Sequence, residues 1–332
     1  MKLVWSLIAV GVLIALAWFG AEAGLTTLFG VILPYAAVAV FLLGMVAKVL
    51  KWARAPVPFR IPTSCGQQRS LPWIRRAKLD NPFTAAGTTG RMALEVLAFR
   101  SLFRNTRAEL TKGGKLVYGS EKLLWASALA FHWAFLVILL RHYRFFVQPV
   151  PAMVTALQNV DGFFQVGVPE VYVTNLVIFA ALGFLLLRRL IDPRLRYFSL
   201  TADYFPLLLL LGIVTSGVLL RYFFKTDVVA VKELATSLAT FSPKVPQGLS
   251  PLFFVHLLLV SALFVYFPFS KLAHMAGVFL SPTRNLANNN RAKRHLNPWN
   301  PPIKGHAYSE WEEEFHDKLV AAHIPLDGGS AS

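Results

Sequence analysis

The chain of 332 residues contains a single cysteine, Cys65. That excludes an internal disulfide, a CxxC zinc site, a CxxCH haem attachment and a four-cysteine iron–sulfur cluster built from this chain alone. Metal chemistry must then rest on histidine and carboxylate, or be borrowed from a partner. Charge is also scarce, at 15% of residues against 55% hydrophobic. Several long apolar runs carry no charge, as in a polytopic helical membrane protein and seldom in a soluble globule. Acidic residues number 17 against 33 basic ones, a net charge of +16. The basic excess collects in particular loops, which fits membrane topology and speaks against nucleic acid as a partner. No internal repeat is present.

What is present is an all-α membrane bundle by pattern. Six segments reach the roughly 20 apolar residues a bilayer crossing needs: Leu3–Gly20, Leu25–Leu50, Lys122–Val147, Val171–Leu190, Tyr204–Phe224 and Leu252–Ala276. "MK" followed by an apolar run ending near "AEAG" also fits a signal peptide, but the run's length and the second run close behind favour a retained helix. The stretch from Lys51 to Lys122 holds 14 basic residues, "RRLIDPRLR" four, and the tail after Ala276 six. The positive-inside tendency makes these three segments cytoplasmic. The expectation is a multi-pass protein of a bacterial or archaeal cytoplasmic membrane with both termini inside. Its parts are two N-terminal spans (1–50), a basic cytoplasmic loop with an interfacial helix (51–121), a four-helix core (122–276) and a C-terminal docking arm (277–332).

Within "RMALEVLAFRSLFRNTRAEL", Met92, Val96, Phe99 and Phe103 recur at helical spacing, with Arg100, Arg104 and Arg107 mainly elsewhere. A helix over this stretch suits an anionic membrane surface or a partner subunit. The tail from Arg284 is polar, rich in Asn and Pro, and ends in a short acidic helix candidate; it reads as an extended arm ordered on another protein.

Four of the eight histidines lie within spans: His132 and His142 on the third, His256 and His274 on the sixth. An ionisable group at membrane depth is expensive without a partner and marks function. The third span runs outward and the sixth inward, so each membrane level receives one histidine from each helix. Two stacked bis-histidine haems require that arrangement. The separations are unequal: 18 residues span five turns and about 27 Å, whereas 10 residues span about 15 Å. Continuous helices would therefore have to tilt, or the haems lean. A bis-histidine haem has no open coordination position, which makes it an electron carrier. Its partners are a quinone in the lipid and a redox subunit in the cytoplasm.

This histidine spacing resembles the ligand pattern of the cytochrome b subunit of respiratory nitrate reductase, the gamma-subunit family, over the last five helices. The segments "RIPTSCGQQ", "SPTRNLANNNRAKRH" with "NPWNPP", and "WEEEFHDKL" resemble more closely, and over nearly the whole chain, the DsrM family, the membrane cytochromes of the sulfite-reduction-associated Dsr complex. The resemblance implies two haems b, His132 with His274 at the inner level and His142 with His256 at the outer. It also implies quinone exchange near the outer haem, a DsrK-like cytoplasmic iron–sulfur partner, and further Dsr subunits including a periplasmic multihaem cytochrome c. The chain would be the electron-transfer subunit of a quinone-linked oxidoreductase complex in dissimilatory sulfur metabolism.

Propionates and a quinone headgroup need hydrogen-bond donors at the membrane edges. Arg141 and Arg144 flank His142, and Arg221 with Tyr222 end the fifth span on the same side; these four are candidates, against simple snorkelling. Lys271, one turn before His274, is a candidate at the inner level, as are Arg188 and Arg189. Asp161, Glu170 and Asp227 could accept protons released by quinol. Trp125 and Trp133 beside His132 could shape the inner haem pocket, against plain core packing, and Cys65 is given no redox role. Two other classes compete: a proton-relay transporter, disfavoured by the lack of carboxylates in the third and sixth spans, and a cofactor-free membrane anchor.

Overall fold

The computed structural model describes residues 1–57, 66–111, 113–162, 170–296 and 305–327. Cys65 and the "NPWNPP" segment lie outside these. Six helices are long and apolar enough to cross a membrane. They are α1 (Lys2–Glu22), α2 (Leu33–Ala53, entered through a π-turn at Leu28–Ile32), α4 (Lys122–His142), α6 (Val173–Ile191), α7 (Thr201–Val218) and α9 (Pro251–Tyr266), with α3 (Ala85–Ala98) before α4, α5 (Ala152–Asp161) after it, α8 (Val228–Ala239) before α9, and α10 (Tyr308–Ala321) in the tail.

The close pairs run α4 on α6, α6 on α7, and α7 on α9, with α1 against both α7 and α9 and α2 against α9. Ile178, Leu182, Leu209, Phe254 and Leu259 are buried where these helices meet. Trp5, Leu7, Phe19, Leu43 and Leu139 stay exposed on the outside, as a surface made for hydrocarbon should be. In "GIVTS", Gly212 and Ser216 form a small-x-x-x-small step that lets α7 approach its neighbours. A Cβ on Gly212 would lie 3.3 Å from Leu259 and 3.5 Å from Val10.

All three basic segments gather at one end of the bundle. Lys2 Nζ donates to the Ser199 carbonyl at 2.7 Å, and Arg188 to Glu121 at 3.0 Å. Here the loop departs from the helix read over residues 91–110. Helix α3, capped by Thr84 accepting from the Gly87 amide at 3.2 Å, stops at Phe99, whose φ of 50° is left-handed. After one further helical turn, Arg100–Phe103, the chain forms an antiparallel hairpin of β1 (Thr106–Leu110) and β2 (Leu116–Ser120). Gly114 supplies the positive φ of 75° at its turn. The tail also departs from expectation at its start. Asn288, buried, donates its amide to the Pro82 carbonyl at 2.7 Å and its side chain to Asn81, while Gln68 donates to Asn290 at 2.6 Å. The first part of the arm thus lies on this chain's own loop, and the acidic helix forms as α10.

The sixth span is shorter than its sequence suggests. After α9 the chain tightens at Phe267–Phe269, opens to extended backbone at Ser270, and restarts in short turns that carry His274. Pro268 cannot donate to the ladder and crowds the carbonyl four residues back, so the helix breaks there. Gly44 of α2 admits the break: a Cβ there would sit 2.7 Å from Pro268.

Candidate functional site

The four histidines come together as two pairs. At the basic end, His132 of α4 and His274 have ring centres 6.0 Å apart at 75°. At the other end, His142 of α4 faces His256 of α9 at 6.4 Å, with planes 15° from parallel. With the helix broken at Pro268–Ser270, both pairs meet although the histidines are 10 residues apart on one segment and 18 on the other. Helices α4 and α9 are not among the closely packed pairs.

Every imidazole is oriented through Nδ1. His132 donates to the Ala128 carbonyl at 2.7 Å, His142 to Ile138 at 2.7 Å and His274 to Lys271 at 2.8 Å. His256 Nδ1 lies 2.9 Å from the Ser216 hydroxyl. A carbonyl only accepts, so Nδ1 carries the proton and Nε2 keeps a free lone pair, the usual state of a metal-ligating histidine.

The spacing tests what such pairs can hold. A metal bound at roughly 2 Å by each Nε2, with ring centres roughly 1.1 Å behind the nitrogens, separates the centres by about 6.2 Å. The observed 6.0 and 6.4 Å bracket that value. Among the described residues no group of three or more His, Cys, Asp or Glu could hold a bare ion. The donor set therefore suits an iron that brings its own equatorial ligands, as haem does.

Aromatic groups border the first pair. Phe99 meets the His132 ring edge-on at 4.9 Å, and Phe131 does so at 5.0 Å. Trp125 donates to the Ala98 carbonyl at 2.8 Å and Trp133 to Leu97 at 3.2 Å. The two indoles thus tie down the end of α3 and with it Phe99. Lys271 directs its ammonium to Asp203 at 2.6 Å and offers His274 only its carbonyl. Arg188 pairs with Glu121, and Arg189 donates to Ser199 at 2.8 Å.

Near the second pair the arginines turn inward. Arg141 is buried, with Nε 3.1 Å from Asp161 and Nη2 donating to Thr174 at 3.1 Å. Its guanidinium lies over the Tyr172 ring at 3.7 Å, and Arg221 lies near the same ring at 4.1 Å. A π-turn, Leu219–Phe223, ends the fifth span and directs Arg221 and Tyr222 to the Glu170 carbonyl, at 3.3 and 3.1 Å. Such turns recur at functional sites. Arg221 Nε is buried with no hydrogen-bond partner among the described residues. Arg144 donates to Gln158 at 2.5 Å. Asp161 also accepts from the Thr174 amide and hydroxyl, and Asp227 caps α8 by accepting from Val229 at 2.8 Å. Sequence reasoning passed over Tyr172, Thr174 and Ser216; only the small residues of "GIVTSG" signalled the last.

A model of the nitrate reductase gamma subunit matches residues 92–291. An Hdr-like menaquinol oxidoreductase cytochrome b-like subunit of Archaeoglobus fulgidus is 47% identical over 281 residues, 82% of this chain and 84% of the relative. A protein of the same description from Archaeoglobus profundus is 42% identical over 276 residues, 81% of this chain and 82% of its own.

Proposed function

The chain belongs to the nitrate reductase gamma-subunit family, and from that premise we propose that it is a di-haem b membrane cytochrome moving electrons between the quinone pool and a cytoplasmic iron–sulfur subunit. The observation that carries the proposal is the pairing of four intramembrane imidazoles at 6.0 and 6.4 Å, each with Nδ1 engaged. His132 with His274 and His142 with His256 hold two haems b, which supply one-electron carriage at two depths of the bilayer. The names of the relatives support menaquinol as the quinone.

By the positive-inside tendency the basic end is cytoplasmic, which makes the first pair inner and the second outer. The unpartnered Nε of Arg221, beside Tyr172 and Tyr222, offers a charge-assisted donor to a propionate or a quinol headgroup. Quinol oxidation releases protons with its electrons. Of Asp161, Glu170 and Asp227, the first is engaged by Arg141 and Thr174 and the last by its helix cap, which leaves Glu170 as the candidate acceptor of the three. Within the family we assign the chain to the DsrM group on the loop and tail motifs. A DsrK-like iron–sulfur protein then docks at the basic end, and other Dsr subunits, including a multihaem cytochrome c, at the outer face, in sulfur metabolism.

The test is a reduced-minus-oxidised spectrum of the purified chain before and after menaquinol. A b-type band that grows on quinol addition is expected. Absence of that band in protein from haem-supplied cells contradicts the proposal.

A further inference from the structure

Three of the four imidazoles take their orientation from a carbonyl close by in their own chain segment, four residues back for His132 and His142 and three for His274. His256 differs. Its Nδ1 turns to Ser216 on the neighbouring α7, at 2.9 Å. Ser216 is buried and has one hydroxyl proton, which it donates to the Ile213 carbonyl at 3.0 Å. Toward the imidazole it can then only accept, which fixes the proton on Nδ1 and leaves Nε2 bare.

The next residue makes room for the ring. A Cβ on Gly217 would stand 3.2 Å from His256 Cε1 and 3.7 Å from Nδ1. Such a contact is close enough to make the ring give way. Gly212, one turn before Ser216, brings α7 near enough to α9 for both contacts.

We infer that Ser216 and Gly217 form a seat that positions His256 and tunes the outer haem alone. This rests on the di-haem reading above. Ser216 is a positioning residue, since it acts through the imidazole. A hydrogen-bond acceptor on Nδ1–H makes the ligand a stronger electron donor and favours the oxidised metal. Removing it should make the outer haem easier to reduce and leave the inner one as it was, because Ser216 touches neither His132 nor His274.

The experiment is a potentiometric titration of the purified full chain, wild type beside Ser216→Ala, Ser216→Thr and Gly217→Ala. The outer haem is identified as the one lost in His142→Ala. Ser216→Ala is expected to raise the reduced-to-oxidised ratio of the outer haem at fixed potential roughly 3- to 10-fold, about 28 to 59 mV for a one-electron couple. Ser216→Thr, which keeps the hydroxyl, should restore it. Gly217→Ala should move or lower the occupancy of the outer haem only. Selective loss of the outer haem in either alanine variant also supports the seat. An unchanged outer potential in Ser216→Ala, or an equal change in both haems, overturns it. Wild-type protein with no haem b would overturn the di-haem reading itself, and is read first from the same sample.

Discussion

Arg141 and Asp161 form an ion pair at 3.1 Å with side chains only 10% and 4% exposed. Removing one partner of so buried a pair strands the other charge, whereas removing both does not. Asp161→Asn is therefore expected to destabilise the end of the bundle that holds His142 and His256 by about 3 kcal/mol. Arg141→Met combined with Asp161→Asn should cost less than the sum of the two single changes. Unfolding in detergent, followed across the four proteins of this cycle, measures the coupling; simple additivity would show that the pair does not interact.

Asp80 gathers the basic loop. Burial resists its ionisation, but hydrogen bonds and charge from Arg104 and Arg100 outweigh burial and hold the carboxyl below the ordinary value of 3.8. A group depressed in the folded state stabilises above its unfolded pKa, and that contribution is lost as pH falls through the folded value. Hydrogen-exchange protection over residues 85–104, taken relative to the intrinsic rate at each pH, should therefore stay flat from neutral pH down to the ordinary aspartate range and fall only below it. Asp80→Asn should show the lower protection already at pH 7.

Phe99 reaches the His132 ring because Trp125 and Trp133 hold the last carbonyls of α3. Each of these hydrogen bonds is worth about 1 kcal/mol. Replacing both indoles by phenylalanine should release residues 92–104 to faster exchange and alter the absorbance of the inner haem only. A change in the outer haem would contradict the local role.

Arg221 should matter to quinol more than to the fold. Arg221→Gln is expected to slow haem reduction by menaquinol roughly 10-fold, the loss of one charge-assisted hydrogen bond. Both haems should remain in place. Stopped-flow reduction beside a haem assay separates the two effects, and a full rate in the variant removes Arg221 from the quinol site.

The six spans and the four histidines could be read from the chain because both rest on strong local signals: long uncharged runs and imidazoles set within them. What escaped notice depends on contacts between distant segments. "YFPFSKLAH" contains the proline that breaks the sixth helix, yet its apolar run reads as continuous, so the unequal histidine separations would call for tilted helices or leaning haems. "TRAEL" lies beyond Phe103, the last of the helically spaced apolar residues, and the paired glycines of "KGGK" were the hairpin's signal. The asparagines of "NLANNN" look like those of a solvated arm; only the facing loop, 207 residues earlier in sequence, buries Asn288 against Asn81. Ser216 is one small polar residue in an apolar helix, and its role depends on which residue of α9 it faces.

The central claim is that His142 and His256 share one iron and His132 and His274 the other. The most direct measurement is haem b content per chain in His142→Ala, His256→Ala and the protein carrying both changes. The account predicts two haems in the wild type, one in each single variant, and the same one still present in the double. Loss of both haems from the double variant would mean that the two histidines serve different irons, and would contradict it.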